Sequence, residues 1–92
     1  MKYDIVITNS CKKDIKRASK QGKNIDLLFE IVDQLSEGIE LDPKYKDHKL
    51  YGDLSGKREC HIEPDFLLIY QILEKDIVLV LVRVGSHSEL FK

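Results

Sequence analysis

The three histidines of this 92-residue chain, His48, His61 and His87, all lie in its second half. Asp65 stands four residues after His61, and Arg83 four before His87. Imidazoles, a carboxylate and a guanidinium suit cleavage of an RNA phosphodiester by its own 2′-hydroxyl. That reaction needs a base for the hydroxyl proton and an acid for the departing 5′-oxygen. Histidine can serve either role near neutral pH. It also needs a cation against the charge growing on the phosphorane oxygens, and Arg83 presents a planar fork for two of them. A metal reading, with His61, Asp65 and His87 as ligands, is weaker, because no cysteine or second carboxylate completes a compact set. Neither a metal nor another cofactor is expected.

These residues are useful together only if the fold gathers them, and the turns say that it does. Arg58 to Ile62 alternates, Phe66 to Leu73 is nearly all apolar, and Ile77 to Val84 is a β-branched run. The connections Glu63-Pro64-Asp65 and Glu74-Lys75-Asp76 are too short for anything but antiparallel neighbours. Numbering outward from the turns sets His61 opposite Phe66 or Leu67, and Arg83 beside Leu67. His61, Asp65, Arg83 and His87 then collect at one end of a sheet. By strand alternation Cys60 points away from His61 and packs against helices. Mid-strand Tyr70 belongs to the core.

The first half supplies the packing. Tyr3 to Ile7 reads as a strand, and Asn9 and Ser10 are helix-capping types. Cys11, Ile15 and Ala18 follow at helical spacing up to Gly22. A second helix, capped by Asn24, carries the stripe Ile25, Leu28, Phe29, Val32 and Leu35, widened by Leu27 and Ile31, and Gly38 closes it. The order is βααβββ, an α+β fold in which a small antiparallel sheet packs on a helical hairpin. A Greek or split order sets the first strand beside the later ones. Residues 86–91 have the length of one helical turn. One domain, residues 1–92, accounts for the whole sequence.

Composition narrows the function classes. Hydrophobic residues make up 42% and charged residues 34%, a globular balance, and no apolar run approaches the roughly 20 residues that span a bilayer. No signal peptide is visible at the N-terminus, so a cytoplasmic protein with reduced Cys11 and Cys60 is expected. The net charge of −1 argues against a strong non-specific grip on nucleic acid. Its distribution is uneven: residues 1–21 carry a net of +4 and residues 22–43 a net of −5.

Longer motifs narrow it further. Tyr45-Lys46-Asp47-His48-Lys49-Leu50 with Gly52, then Arg58-Glu59-Cys60-His61-Ile62-Glu63-Pro64-Asp65 and Leu68-Ile69-Tyr70, and finally Arg83-Val84-Gly85-Ser86-His87-Ser88-Glu89-Leu90-Phe91 resemble the YafQ-type branch of the RelE superfamily, toxins of bacterial type II toxin–antitoxin systems. The resemblance implies a ribosome-dependent endoribonuclease that cuts mRNA in the A site of the 70S ribosome. It also implies a cognate antitoxin protein in a toxin–antitoxin hetero-oligomer, and no membrane partner. The family's active-site positions fall on His48, His61, Asp65, Arg83, His87 and Phe91. Phe66 stands where relatives often carry Trp and remains able to stack on a base. Lys57 and Arg58 are candidate phosphate contacts. The competing reading is a non-catalytic ParE-like toxin that inhibits a protein target such as DNA gyrase. Such a surface has no need of the His/Asp/Arg set.

Overall fold

A strand built from Asp4–Ile7 (β1) ends at Thr8, whose hydroxyl accepts the Cys11 N–H at 3.0 Å and so starts the helix Asn9–Lys20 (α1). The cap is thus Thr8, one residue before the expected Asn9 or Ser10. Asn24 caps the second helix, Ile25–Ser36 (α2), as its side-chain type predicts, by accepting the Leu27 N–H. A 3₁₀ turn at Pro43–Tyr45 leads into a two-residue strand, His48–Lys49 (β2), and a second 3₁₀ turn at Gly52–Leu54 follows. The long strands are Arg58–Glu63 (β3), Phe66–Leu73 (β4) and Val78–Gly85 (β5), and the chain closes with a four-residue helix, His87–Leu90 (α3). The computed structural model describes residues 3–91.

The five strands form one sheet in the order β1-β5-β4-β3-β2. The α+β class and the meander of the three long strands are as the turn lengths predict. Two details differ. β2 is too short to leave a periodic signal, and β1 runs parallel to β5, so the sheet is mixed rather than antiparallel. A parallel neighbour needs a long crossover, and here that crossover contains both helices.

One face of the sheet is covered by the helices. Cys11, Ala18, Leu28, Ile31, Val32 and Leu35 pack on Cys60, Ile62, Phe66, Leu68, Tyr70, Leu79, Leu81 and Val84. Phe29, expected in the α2 stripe, is 39% exposed and lies off it. Among the described residues no helix is long and apolar enough to cross a membrane. Two irregularities aim the site. The β3–β4 register shifts between His61 and Glu63, and the β4–β5 register shifts at Ile69/Tyr70, so Arg83 stands opposite Ile69 rather than the expected Leu67. Bulges of this kind bend a strand and re-aim its side chains. The resulting cross-strand rows are Glu59–Ile69–Arg83 and His61–Leu67–Gly85.

Candidate active site

On the sheet face away from the helix-packed core, four rings stand in a row. His48 and His61 have ring centroids 6.3 Å apart, His61 and His87 5.7 Å, and His87 and Phe91 6.1 Å. Strand pairing produces the first step, since β2 presents His48 beside Glu59, two residues from His61 on β3. The second follows from the His61–Leu67–Gly85 row, because His87 is two residues past Gly85.

Beneath the row lies Glu59, only 4% exposed, with Oε1 at 3.5 Å from His48 Nε2 and 3.4 Å from His61 Nε2. A buried carboxylate is costly unless it is partnered, and two imidazoles share this one. Glu59 falls within a family motif but is not among the site residues expected from the sequence. A signal for it exists, since Glu59 and His61 are two apart on a strand and must share a face. His48 is fixed from its other side, where Nδ1–H donates to the Lys46 carbonyl at 2.7 Å. Asp47, its neighbour, is anchored in turn by the buried Tyr70 hydroxyl at 2.7 Å and by Arg58 at 3.3 Å.

His87 is positioned by the chain around it. Ser86 and Glu89 form a capping box that starts α3. Asp65 Oδ1 accepts the His87 backbone N–H at 3.1 Å and lies 3.5 Å from its Nδ1. Asp65 therefore serves first as a clamp on the His87 loop. Gly85 leaves little room for a side chain: a Cβ there would meet Glu89 Oε1 at 3.0 Å, with Arg17 Nη2 and Leu90 Cδ2 both at 3.3 Å, so these side-chain ends would have to give way.

Arg83 is held differently from expectation. Past Leu81, where β1 stops, α1 takes over the edge of β5. Asp14, 2% exposed, accepts the Val84 N–H there at 3.2 Å and binds both Nε and Nη2 of Arg83. This hydrogen-bonded carboxylate raises the guanidinium's pKa above its ordinary value despite the opposing effect of burial. Arg17 joins Asp14 to Glu89, with 3.1 Å to each. Arg83 is thus a cation with its Nε and Nη2 donors committed to Asp14, and among the described residues Nη1 has no hydrogen-bond acceptor. No sequence signal links Asp14 to Arg83, which lies 69 residues away.

The structure gathers His48, His61, Asp65, His87 and Phe91, and it sets Arg83 one row along the sheet. It does not gather the others. Phe66, expected to stack on a base, is 0% exposed in the helix-facing core and has no free face, whereas Phe91 is 41% exposed. Lys57 and Arg58 lie at the start of β3, on a separate groove with Lys49 and Tyr51. Of the ligands considered for a metal, His61 and His87 recur, with Glu59 in place of Asp65. Donor atoms of Glu59, His61 and His87 lie within 4.8 Å of one another.

The comparisons with known proteins decide the family. Residues 3–92 match the family described as bacterial toxin of type II toxin–antitoxin system, YafQ. The chain belongs to the YafQ family. The mRNA interferase toxin YafQ of Escherichia coli K12 is 37% identical over 89 residues, covering 96% of this chain and 95% of that protein. A metal-bound toxin from Helicobacter pylori is 47% identical and superposes with a TM-score of 0.91 over 97% of this chain and 99% of its own. YafQ in the E. coli DinJ–YafQ toxin–antitoxin complex is 35% identical, with a TM-score of 0.89 and full coverage of both chains. The YafQ-type motifs thus mark true membership, and the E. coli relative bears the name of an mRNA interferase.

Proposed function

We propose that this chain is the toxin of a type II toxin–antitoxin system, an endoribonuclease that cuts mRNA at the ribosomal A site by attack of the 2′-hydroxyl, and so inhibits translation. The observation that carries the reading is the row of three imidazoles over the buried Glu59. His87 and His61, with rings 5.7 Å apart, form a pair able to flank one phosphodiester, His87 acting as the principal proton-transfer group. His48 holds the phosphate or the leaving oxygen. Glu59 fixes the orientation of His48 and His61, and Asp65 that of His87. Arg83, through Nη1, supports the charge on the phosphorane oxygens. Phe91 stacks on a base. A cognate antitoxin neutralises the toxin in a hetero-oligomer, as DinJ accompanies YafQ in E. coli.

One relative is a metal-bound toxin, and Glu59, His61 and His87 fit a cation here by number and donor type. Bound there, a cation would supply Lewis-acid charge beside the imidazoles. The scheme above needs only acid, base and charge stabilisation.

The test is growth arrest on induction, followed by primer-extension mapping of mRNA cuts. His87→Ala should relieve toxicity while still binding antitoxin and ribosome. His61→Ala and His48→Ala should be weaker and non-additive with it. Wild-type cutting by His87→Ala would remove it from the site and shift the acid–base roles to His61 and Asp65.

A further inference from the structure

The terminal helix α3 carries two groups of the cutting scheme, His87 at its start and Phe91 just past its end. Its four residues fall far below the roughly 12–15 at which an isolated helix holds together. Contacts from elsewhere in the fold must therefore set its place. Asp65 clamps the first residue from the sheet side. The contacts of Glu89 show what holds the rest.

Glu89 Oε1 accepts the Ser86 N–H at 2.9 Å and closes the capping box. Its other oxygen, Oε2, is turned towards α1. There it lies 3.1 Å from Arg17 Nε and accepts from Gln21 Nε2 at 3.3 Å. Arg17 and Gln21 are four residues apart, so they share one side of α1 and of its C-cap. Arg17 Nη2 meanwhile donates to Asp14 Oδ1 at 3.1 Å, and Asp14 is the buried carboxylate that binds Arg83. A planar guanidinium holds two carboxylates with different nitrogens, whereas an ammonium offers a single point of charge. Arg17 thus ties the seat of Arg83 to the helix that carries His87. Neither Arg17 nor Gln21 belongs to the row of rings, and the acid–base scheme gives them no task.

We propose that Arg17, assisted by Gln21, is a positioning residue for the reaction: through Glu89 it fixes α3, and so keeps His87 in place relative to His61 and Arg83. The proposal rests on the endoribonuclease reading and adds a residue on which that site's geometry depends.

Two substitutions break the bridge and spare its surroundings. Glu89→Gln can still complete the capping box but loses its charge towards Arg17. Arg17→Met keeps an unbranched stem and loses the guanidinium. Both side chains are partly exposed, so each change should slow cutting of programmed ribosomes by about fivefold, in kcat and with KM unchanged. The double variant should be no slower than Arg17→Met alone. Arg17→Lys keeps the charge without the fork and should stay slow. A loss in KM rather than kcat, repaired by Arg17→Lys, would make Arg17 an RNA contact and overturn the proposal. Wild-type kcat in Arg17→Lys, or two single losses that multiply, would overturn it as well.

A second measurement needs no catalysis. In ¹⁵N-labelled protein, Arg17→Met should quicken amide exchange at residues 86–91 and shift the ring signals of His87, while those of His48 and the β3–β4 amides stay as in wild type. Unchanged His87 signals, or loosening spread evenly over the sheet, would refute the positioning role even if wild type cuts RNA. A wild type that cuts no RNA, with the His87 signals moved as described, would refute the enzyme reading and leave the bridge from α1 to His87 standing.

Discussion

Replacing Asp14 by Asn should damage both the stability of the protein and the use of Arg83, by an amount the geometry sets. The Asp14 carboxylate is 2% exposed and serves Arg83, Arg17 and the Val84 N–H at once. Asn keeps an oxygen for Val84 but turns an NH₂ towards two guanidinium groups. Deep burial would put the loss of such a pair near 3–5 kcal/mol. The guanidinium side chains are 41% and 37% exposed, however, so solvent screens each contact towards the surface value of about 1 kcal/mol. The sum is about 2–3 kcal/mol, which for a chain of this length lowers Tm by about 10–20 °C. Asp14→Ala also orphans the buried Val84 N–H and should cost about 1–3 kcal/mol more. Below both melting points, Asp14→Asn should still cut mRNA at least about tenfold more slowly, because a freed guanidinium loses its aim. If that loss acts through Arg83, Asp14→Asn should add little to Arg83→Ala. Thermal melts followed by cleavage assays on programmed ribosomes provide the check. A Tm within about 3 °C of wild type would refute the energetic argument. Full multiplication of the two rate losses would refute the positioning argument.

Three further outcomes are expected. Zn²⁺ should inhibit cutting by engaging Glu59, His61 and His87, and EDTA with Mg²⁺ in excess should restore it and leave 3′ or cyclic phosphate ends; a 5′-phosphate product that needs metal would refute the mechanism. Cys11 and Cys60 are fully buried, and burial pushes both thiols up to about 12, so neither should react with iodoacetamide at pH 8 until the protein is unfolded; mass spectrometry of native protein showing rapid labelling would contradict the packing. The backbone bond from Ser86 holds the Glu89 carboxyl below its ordinary 4.5, so its stabilisation of α3 is present above that pH and fades as acid carries the group through its folded-state value. Amide exchange should then loosen at residues 86–90 before the sheet, and Glu89→Gln should abolish that pH dependence.

Much of this protein is legible in its sequence. Two short turns oblige β3, β4 and β5 to pair as antiparallel neighbours, and that pairing brings His61, Asp65 and His87 to one end of the sheet. Alternation sends Cys60 and Tyr70 inward, and side-chain type marks the Asn24 cap. All of these are local rules, in which a residue's neighbours within a turn or a strand period settle its place. The rest depends on distant partners. A strand of two residues carries no period, so β2 and the seat of His48 beside Glu59 appear only when β3 is there to pair with. Bulges at His61/Glu63 and Ile69/Tyr70 move the register by amounts no turn length encodes. Phe66 is as apolar as a stacking platform must be, and only the closed core shows that its ring has no free face. Asp14 looks like any acidic residue on a basic helix. It becomes the seat of Arg83 because α1 folds along the stretch of β5 that β1 leaves uncovered, and that meeting is a property of the packed chain alone.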